Sequence, residues 1–401
     1  MRVVVTIDHR FIRTPDGAIW TRTSFTYNFW KRYLSAFDHV NVVARMQDVA
    51  TTESNWTRCD GDGISFTPVP YYVGILQYLS KFQQVKNAVR NALNPEDAVI
   101  IRIHGQISSC LRPQLRQTGR PYGAEVIGDP YSVLATGHIR HPLRHLLKWW
   151  LPRRMREQAA GATAVAYVTK HTLQRLYPAN PQAFKTYYSS IVLKDSSFTS
   201  QPRSYTSSSQ PDDLIIVCTL NDLTKGPNLL IEALAICVGE GLDLKLTVVG
   251  GGKHQPELED QATSLGVRNR VRFLGWLPAG KAVYDQLDQA DLFVLPSYQE
   301  GVSRSALEAM ARGLPCIATD VGGMPEILPD KDLVPCGDVE AIAAKIIEVL
   351  KDPVRMSRMS YRNLQRSSQF EEHVLSSRWT TFYRHVRNQT ELWLAGNRHS
   401  F

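Results

Sequence analysis

The sequence predicts two α/β domains, the second of them a Rossmann-like unit built on a parallel sheet. Three observations lead there. The chain has 401 residues, 43% of them hydrophobic, more than one hydrophobic core normally organises. Beyond Asp213, short β-branched runs alternate with stretches of helical spacing, the pattern of βαβ units. Those runs are apolar throughout, as strands are when both faces of their sheet are covered.

Taken in order, the second half gives strands at 214–219, 244–249, 271–274, 292–295 and 316–319, with helices at 228–238, 256–265, 281–289 and 304–312. The first half is less regular. Strands are expected at 3–7, 40–44, 98–103 and 164–168, and helices at 76–93 and 143–155. The segment 195–213 is rich in Ser, Thr and Pro and reads as an exposed connector. In the tail, Val374, Leu375, Trp379, Phe382, Tyr383 and Val386 form one apolar stripe at helical spacing. The expected domains are 1–200, a linker at 201–213, a second domain at 214–369, and a helix over 370–401 that packs back onto the first.

Composition narrows the function classes. Glycine (25) and proline (22) are near average usage, which excludes collagen-like and wholly disordered chains. The six cysteines are dispersed with no C-x-x-C pair, the usage of buried thiols in a reducing compartment. The apolar run Val3–Ile7 is too short for a signal-peptide core, and no run of about 18 apolar residues is present. A cytoplasmic protein is expected. Residues 1–200 carry 25 basic and 13 acidic side chains, and 201–401 carry 21 and 25. Assigning 351–401 to the first domain sharpens the division to +17 and −9.

The most informative segment is 291–325, DLFVLPSYQEGVSRSALEAMARGLPCIATDVGGMP. A strand ends in a loop holding Glu300 and Gly301, a helix begins near Ser303, and Glu308 lies just over one turn inside it. Ligands of open parallel sheets bind beyond the carboxyl ends of the strands. A helix N-terminus there suits a diphosphate. Two carboxylates beside an anion site are unfavourable unless they accept hydrogen bonds from hydroxyls, which sugars and ribose provide.

At these residues the sequence resembles the retaining family 4 glycosyltransferases, which have the GT-B fold. Glu300-x7-Glu308 within EGVSRSALEAMARGLP is similar to that family's signature. CTLNDLTKGPNLLIEAL (218–234), VVGGGKHQPELE (248–259) and VRFLGWLP (271–278) match further blocks in the right order. The resemblance implies two Rossmann-like domains facing a cleft, with no metal or other cofactor. The nucleotide-sugar is a substrate, and the acceptor is a glycan or a lipid-linked saccharide. It also implies roles. Glu308 would hydrogen-bond the ribose, and Glu300 would hold donor-sugar hydroxyls. Lys225 and the backbone of Gly301, Val302 and Ser303 would neutralise the diphosphate, and the backbone near Trp276 and Leu277 would contact the base. His104, after the strand at 99–103, would contact donor sugar or acceptor; a buried histidine satisfied by backbone is the competing account. Glu125 and Asp129 in GAEVIGDPY are candidate acceptor-side residues.

Two departures stand out. Many members carry an arginine where this sequence has Thr219, and Arg304 is placed to substitute. The usual glycine pair after the first strand is missing, since residues 9–23 contain only Gly17. An epimerase of the same fold and a non-catalytic nucleotide-sugar-binding partner of another transferase are the rival functions.

Other features carry less. Gly250-Gly251-Gly252-Lys253 lacks the spacing of a Walker loop and reads as a turn near the ligand. Asp60-Gly61-Asp62 superficially matches a D-x-D metal motif but is a turn dipeptide in context. The densest basic stretch, 137–156, interleaves Arg and Lys with Leu146, Leu147, Trp149 and Trp150. It resembles an interfacial helix on an anionic membrane, the competing account being a core-packing helix with a solvated basic face. No nucleic-acid module accompanies it. A peripheral position on the inner membrane face follows as an expectation.

Overall fold

The computed structural model describes residues 1–53, 56–103, 105–131, 144–189, 191–206 and 211–397. The chain divides into two compact units: Met1–Tyr131, His141–Tyr188 and Ser376–Phe401 form the first, while Ser132–Arg140 and Ser189–Leu375 form the second. The boundary expected at 200 therefore lies at Ser189. Residues 351–375 count with the second unit, which corrects the charge division to 27 basic against 13 acidic side chains in the first unit and 19 against 25 in the second.

In the first unit the strands are β1 (Arg2–Arg13), β2 (Ile19–Thr21), β3 (His39–Asp48), β4 (Thr57–Arg58), β5 (Ile64–Pro70), β6 (Ala98–Ile103), β7 (Gly123–Val126), β8 (Ala164–Tyr167) and β9 (Phe184–Tyr187). Seven pair in parallel in the order β5-β3-β1-β6-β7-β8-β9. β1 shifts register between Thr6 and Arg10. Its far end takes β2 as an antiparallel neighbour, and β4 extends that ribbon. β6 is buried at every residue, the signature of a strand covered on both faces.

The helix Glu372–Gly396 buries Trp379, Phe382, Tyr383 and Val386, the stripe read from the sequence. Its Tyr383 reaches Glu125 on β7. Glu125 was expected on the acceptor side, and the structure places it in the core instead, 2% exposed. Its carboxylate accepts from the hydroxyls of Tyr188 at 2.7 Å, Tyr33 at 3.0 Å and Tyr383 at 3.4 Å. Arg102, directly opposite on β6, pairs with it as well, and Arg32 lies 3.6 Å away. Burial alone would push this carboxyl up; the Arg102 and Arg32 guanidiniums and the Tyr188 and Tyr33 hydroxyls outweigh it and hold the group below its ordinary value of 4.5.

In the second unit, β10 (Asp213–Val217), β11 (Lys245–Val249), β12 (Val271–Phe273), β13 (Leu292–Leu295), β14 (Cys316–Thr319) and β15 (Leu333–Val334) form a parallel sheet in the order β12-β11-β10-β13-β14-β15. This is the doubly wound order of a nucleotide-binding domain. The stretch read as an exposed connector is in part anchored. Arg203 donates to the carbonyls of Leu287 at 2.7 Å and Arg312 at 3.2 Å, and the Arg203 amide donates to Ser360 Oγ at 2.7 Å. Residues 207–210 lie outside the described residues. Among the described residues no helix is long and apolar enough to cross a membrane.

Removing the Glu125 charge leaves two buried guanidiniums uncompensated, which costs about 3–5 kcal/mol. Glu125→Gln is therefore expected to lower the melting temperature markedly at pH 7. Because the folded-state value is depressed, this stabilisation is present above the unfolded value near 4.5 and is lost as pH falls through the folded one. Melting curves of both proteins should converge on acidification; a gap that stays constant with pH would contradict this assignment.

Candidate functional site

The strand order of the second unit reverses between β10 and β13, and a crevice opens at the carboxyl ends of strands on either side of such a point. A cavity of about 480 Å³ lies there. Lys225 enters it from the loop after β10, just before the helix Pro227–Gly239. Glu300 enters from the loop after β13. Its carboxylate is 4% exposed, and one oxygen accepts from Lys225 Nζ at 2.7 Å and from Ser297 Oγ at 2.9 Å.

The helix Arg304–Ala311 starts at the cavity wall. Ser303 caps it, its hydroxyl accepting the Ala306 amide at 3.5 Å and its carbonyl the Leu307 amide at 3.1 Å. The amides of Arg304 and Ser305 have no acceptor among the described residues. They add to the positive end of the helix dipole and make a corner of positive potential, chemically suited to an anion. Glu308 follows Arg304 by four residues on the same wall. Burial pushes its carboxyl above the ordinary value, with the Arg304 charge acting in opposition.

The opposite wall holds Gly250, Trp276 and Leu277. Gly250 has φ +124°, and a Cβ there would lie 1.8 Å from the Cys218 carbonyl oxygen, so the chain can pass only as glycine. Gly322, after β14, has φ +59° and approaches Glu300 as closely: a Cβ would lie 1.8 Å from the Glu300 carbonyl oxygen. The next amide, Gly323, donates to the Gly301 carbonyl at 2.7 Å. Gly322-Gly323 thus clamps the loop that carries Glu300 and Gly301.

The protein-family profile described as Glycosyl transferases group 1 matches residues 198–366. Over 274 residues the chain is 30% identical to the N-acetyl-alpha-D-glucosaminyl L-malate synthase of Bacillus anthracis, covering 65% of this chain and 69% of that protein. The chain belongs to the group 1 glycosyl transferases. It is also 24% identical to Protein CapJ of Staphylococcus aureus over 355 residues, 88% of this chain and 84% of CapJ. Among solved structures, Anabaena HepE in complex with UDP and glucose superposes with a TM-score of 0.60 at 17% identity, covering 100% of both chains. The fold of this glycosyltransferase is GT-B.

Of the residues singled out in the sequence, Lys225, Glu300, Val302, Ser303, Arg304, Glu308, Trp276 and Leu277 line one cavity. Gly301 stands in the same loop, and Thr219, at the position where many family members carry an arginine, also lines the cavity. The glycosyltransferase's first unit holds the others. His104 lies outside the described residues. Asp129, just after β7, accepts the Tyr131 amide at 3.0 Å and the Tyr177 hydroxyl. Asp60 accepts the Ile19 amide at 2.9 Å and the Arg58 guanidinium at 3.1 Å. Among the described residues no group of three His, Cys, Asp or Glu could hold a metal ion. Sequence reasoning missed Ser297 and the Gly322-Gly323 clamp; a glycine pair two residues beyond a strand, inside the quoted segment, was the available signal. The Cys218 thiol in the cavity wall is pushed up to about 12 by burial, so it offers no thiolate near neutral pH.

The raised Glu308 carboxyl has a stability consequence. A carboxyl whose folded value exceeds its unfolded value destabilises the free protein once ionised. Glu308→Gln is expected to raise the melting temperature at pH 8, with the gain shrinking as pH falls through the folded value toward 4.5. A lower melting temperature at pH 8 would show that Glu308 is structurally paired.

Proposed function

We propose that this glycosyltransferase moves a sugar from a nucleotide-sugar to a saccharide or lipid-linked acceptor with retention of anomeric configuration and without a metal. The observation that carries the reading is the meeting of Lys225, a capped helix N-terminus and two carboxylates in one cavity. Cation and amides suit a diphosphate, while Glu300 and Glu308 suit hydroxyls. The Lys225–Glu300 ion pair supplies an ordered exchange. An incoming diphosphate takes Lys225, and the Glu300 oxygen it releases accepts a hydroxyl of the donor sugar. Glu308 accepts the ribose hydroxyls, and the Trp276–Leu277 backbone lies against the base.

Breaking the anomeric bond develops negative charge on the leaving phosphate. Groups already aimed at that charge stabilise the transition state more than the ground state. Arg304, lining the cavity with Thr219, supplies the second cation. Retention rests on the resemblance of Glu300-x7-Glu308 to the retaining family, and no nucleophile is assigned. The basic stretch 137–156 supports a peripheral place on an anionic membrane face of the cytoplasm, where lipid-linked acceptors would be met.

The test is a thermal-shift panel of UDP-, GDP-, ADP- and TDP-sugars, with UDP-sugars first because HepE is solved with UDP and glucose. A donor at 100 times its Kd stabilises by ~2.7 kcal/mol. With the donor and an acceptor extract, Lys225→Ala should lower kcat by about 10²–10³, and Arg304→Ala should weaken turnover or donor binding. Unchanged Arg304→Ala kinetics would remove its role as second cation. A product of inverted configuration by NMR would overturn retention. Donor binding with no nucleotide released would favour the non-catalytic partner, and an isomerised nucleotide-sugar the epimerase.

A further inference from the structure

Seven of the fourteen large apolar side chains exposed among the described residues belong to 73–82, Tyr131 and the start of the helix Arg144–Ala160, all in the first unit. The helix Gly74–Ser80 buries none of its residues. Its Leu76 is 80% exposed, and Trp149 in the other helix is 61% exposed. The helix meets the core only through half-buried residues such as Tyr78, and its leucines keep apolar area in water at roughly 25 cal/mol per Å².

These elements are neighbours. The hydroxyl of Tyr78 lies 3.9 Å from Cys110 Sγ on the helix Gln106–Thr118. The Arg154 charge reaches both Tyr78 and Cys110. Between the helices Gln106–Thr118 and Arg144–Ala160 lies a cavity of about 470 Å³, lined by Ser109, Arg112, Pro113, Arg116, Gln117 and Arg154. Arg112 is paired with Glu157 at 2.7 Å. Arg116 and Arg154 have no carboxylate partner among the described residues, and Arg154 is itself half-buried.

Charge selects the occupant. The segments 74–91, 106–118 and 144–160 hold ten lysines and arginines against one acid, Glu157. Exposed leucines and aromatics on elements neighbouring a basic pocket match a bilayer interface: apolar side chains enter the acyl boundary, and guanidiniums meet phosphate headgroups.

We propose that the first unit docks on an anionic lipid bilayer through a rim formed by Leu76, Leu79, Phe82 and Trp149, with the pocket of Arg116 and Arg154 holding a lipid headgroup phosphate. This rests on the reading of an acceptor met at a membrane and supplies its docking residues; the helix Gly74–Ser80 and the arginine pocket extend it well beyond the basic stretch 137–156.

The test is co-sedimentation of the full chain with phosphatidylcholine vesicles containing 0 or 30% phosphatidylglycerol. Binding should require phosphatidylglycerol and weaken between 0.05 and 0.5 M NaCl as the Debye length shrinks. Arg116→Gln with Arg154→Gln should weaken it more than tenfold, at about fivefold for each charge near the surface, which corresponds to ~1 kcal/mol. Leu76→Ser with Leu79→Ser, both exposed, should weaken it while leaving melting temperature and nucleotide-sugar binding unchanged. Equal binding to neutral vesicles, full binding by both double variants, or tighter binding to a 20-base-pair DNA duplex than to the vesicles would overturn the proposal. Nucleotide-sugar stabilisation, measured without lipid, reports separately on the donor site, so either reading can fail without the other.

Discussion

Sheets covered on both faces leave little room for polar groups along their strands, and this constraint orders both units. A charge placed mid-strand must be matched inside the core, as Glu125 is by Arg102. A charge meant for a ligand has to stand where the strands end and water enters. In the second unit the reversal of order between β10 and β13 makes that place. Lys225, Glu300 and the helix Arg304–Ala311 all issue from it. Even there Glu300 is 4% exposed, a burial its carboxylate sustains because Lys225 and Ser297 share one of its oxygens. The Gly322-Gly323 clamp in turn holds the backbone from which Glu300 projects.

Much of the second unit was legible because its strands are short, uniformly apolar runs separated by helices of ordinary length. β15 was missed, since two residues at a sheet edge make no pattern. The first unit was harder for physical reasons. β5 contains Pro68 and Pro70, which argue against a strand, yet it pairs only with β3 and so sits where proline is tolerated. β7 is four residues with a glycine and a glutamate. The helix expected over 76–93 is two helices, broken at Lys81. The connector looked free because nothing local shows that Arg203 fills its hydrogen bonds with carbonyls more than eighty residues away. Glu125 was misplaced for the same reason: Tyr33, Tyr188 and Tyr383 are remote in sequence and meet only in the fold.

Glu125 and Glu308 are carboxylates that burial affects alike and their surroundings treat differently. Burial pushes both upward. For Glu125 two guanidiniums and the surrounding phenols reverse the shift, and the group ends below its ordinary value. For Glu308 only the Arg304 charge opposes burial, and the group stays above it. The first carboxylate is satisfied by its own chain. The second is held at a cavity wall with hydrogen-bonding capacity left over, at a standing cost to stability that a hydroxyl-bearing ligand would relieve.

Charge distribution adds the last step. The proposed donor is an anion, yet the cavity described for it is lined by residues of the unit with 19 basic and 25 acidic side chains, and not of the unit with 27 and 13. At physiological ionic strength charges more than about 8 Å apart in water are largely screened. A net negative domain can therefore hold a diphosphate if cations and free amides touch it, as Lys225 and the helix N-terminus are placed to do. The basic excess of the other unit is then unnecessary for the donor. Its concentration on three neighbouring helices, beside exposed leucines and tryptophan, is what the proposed anionic surface requires, so that one chain would meet two anions by two different means: a few oriented groups for a small ligand, and a broad field with an apolar rim for an extended one.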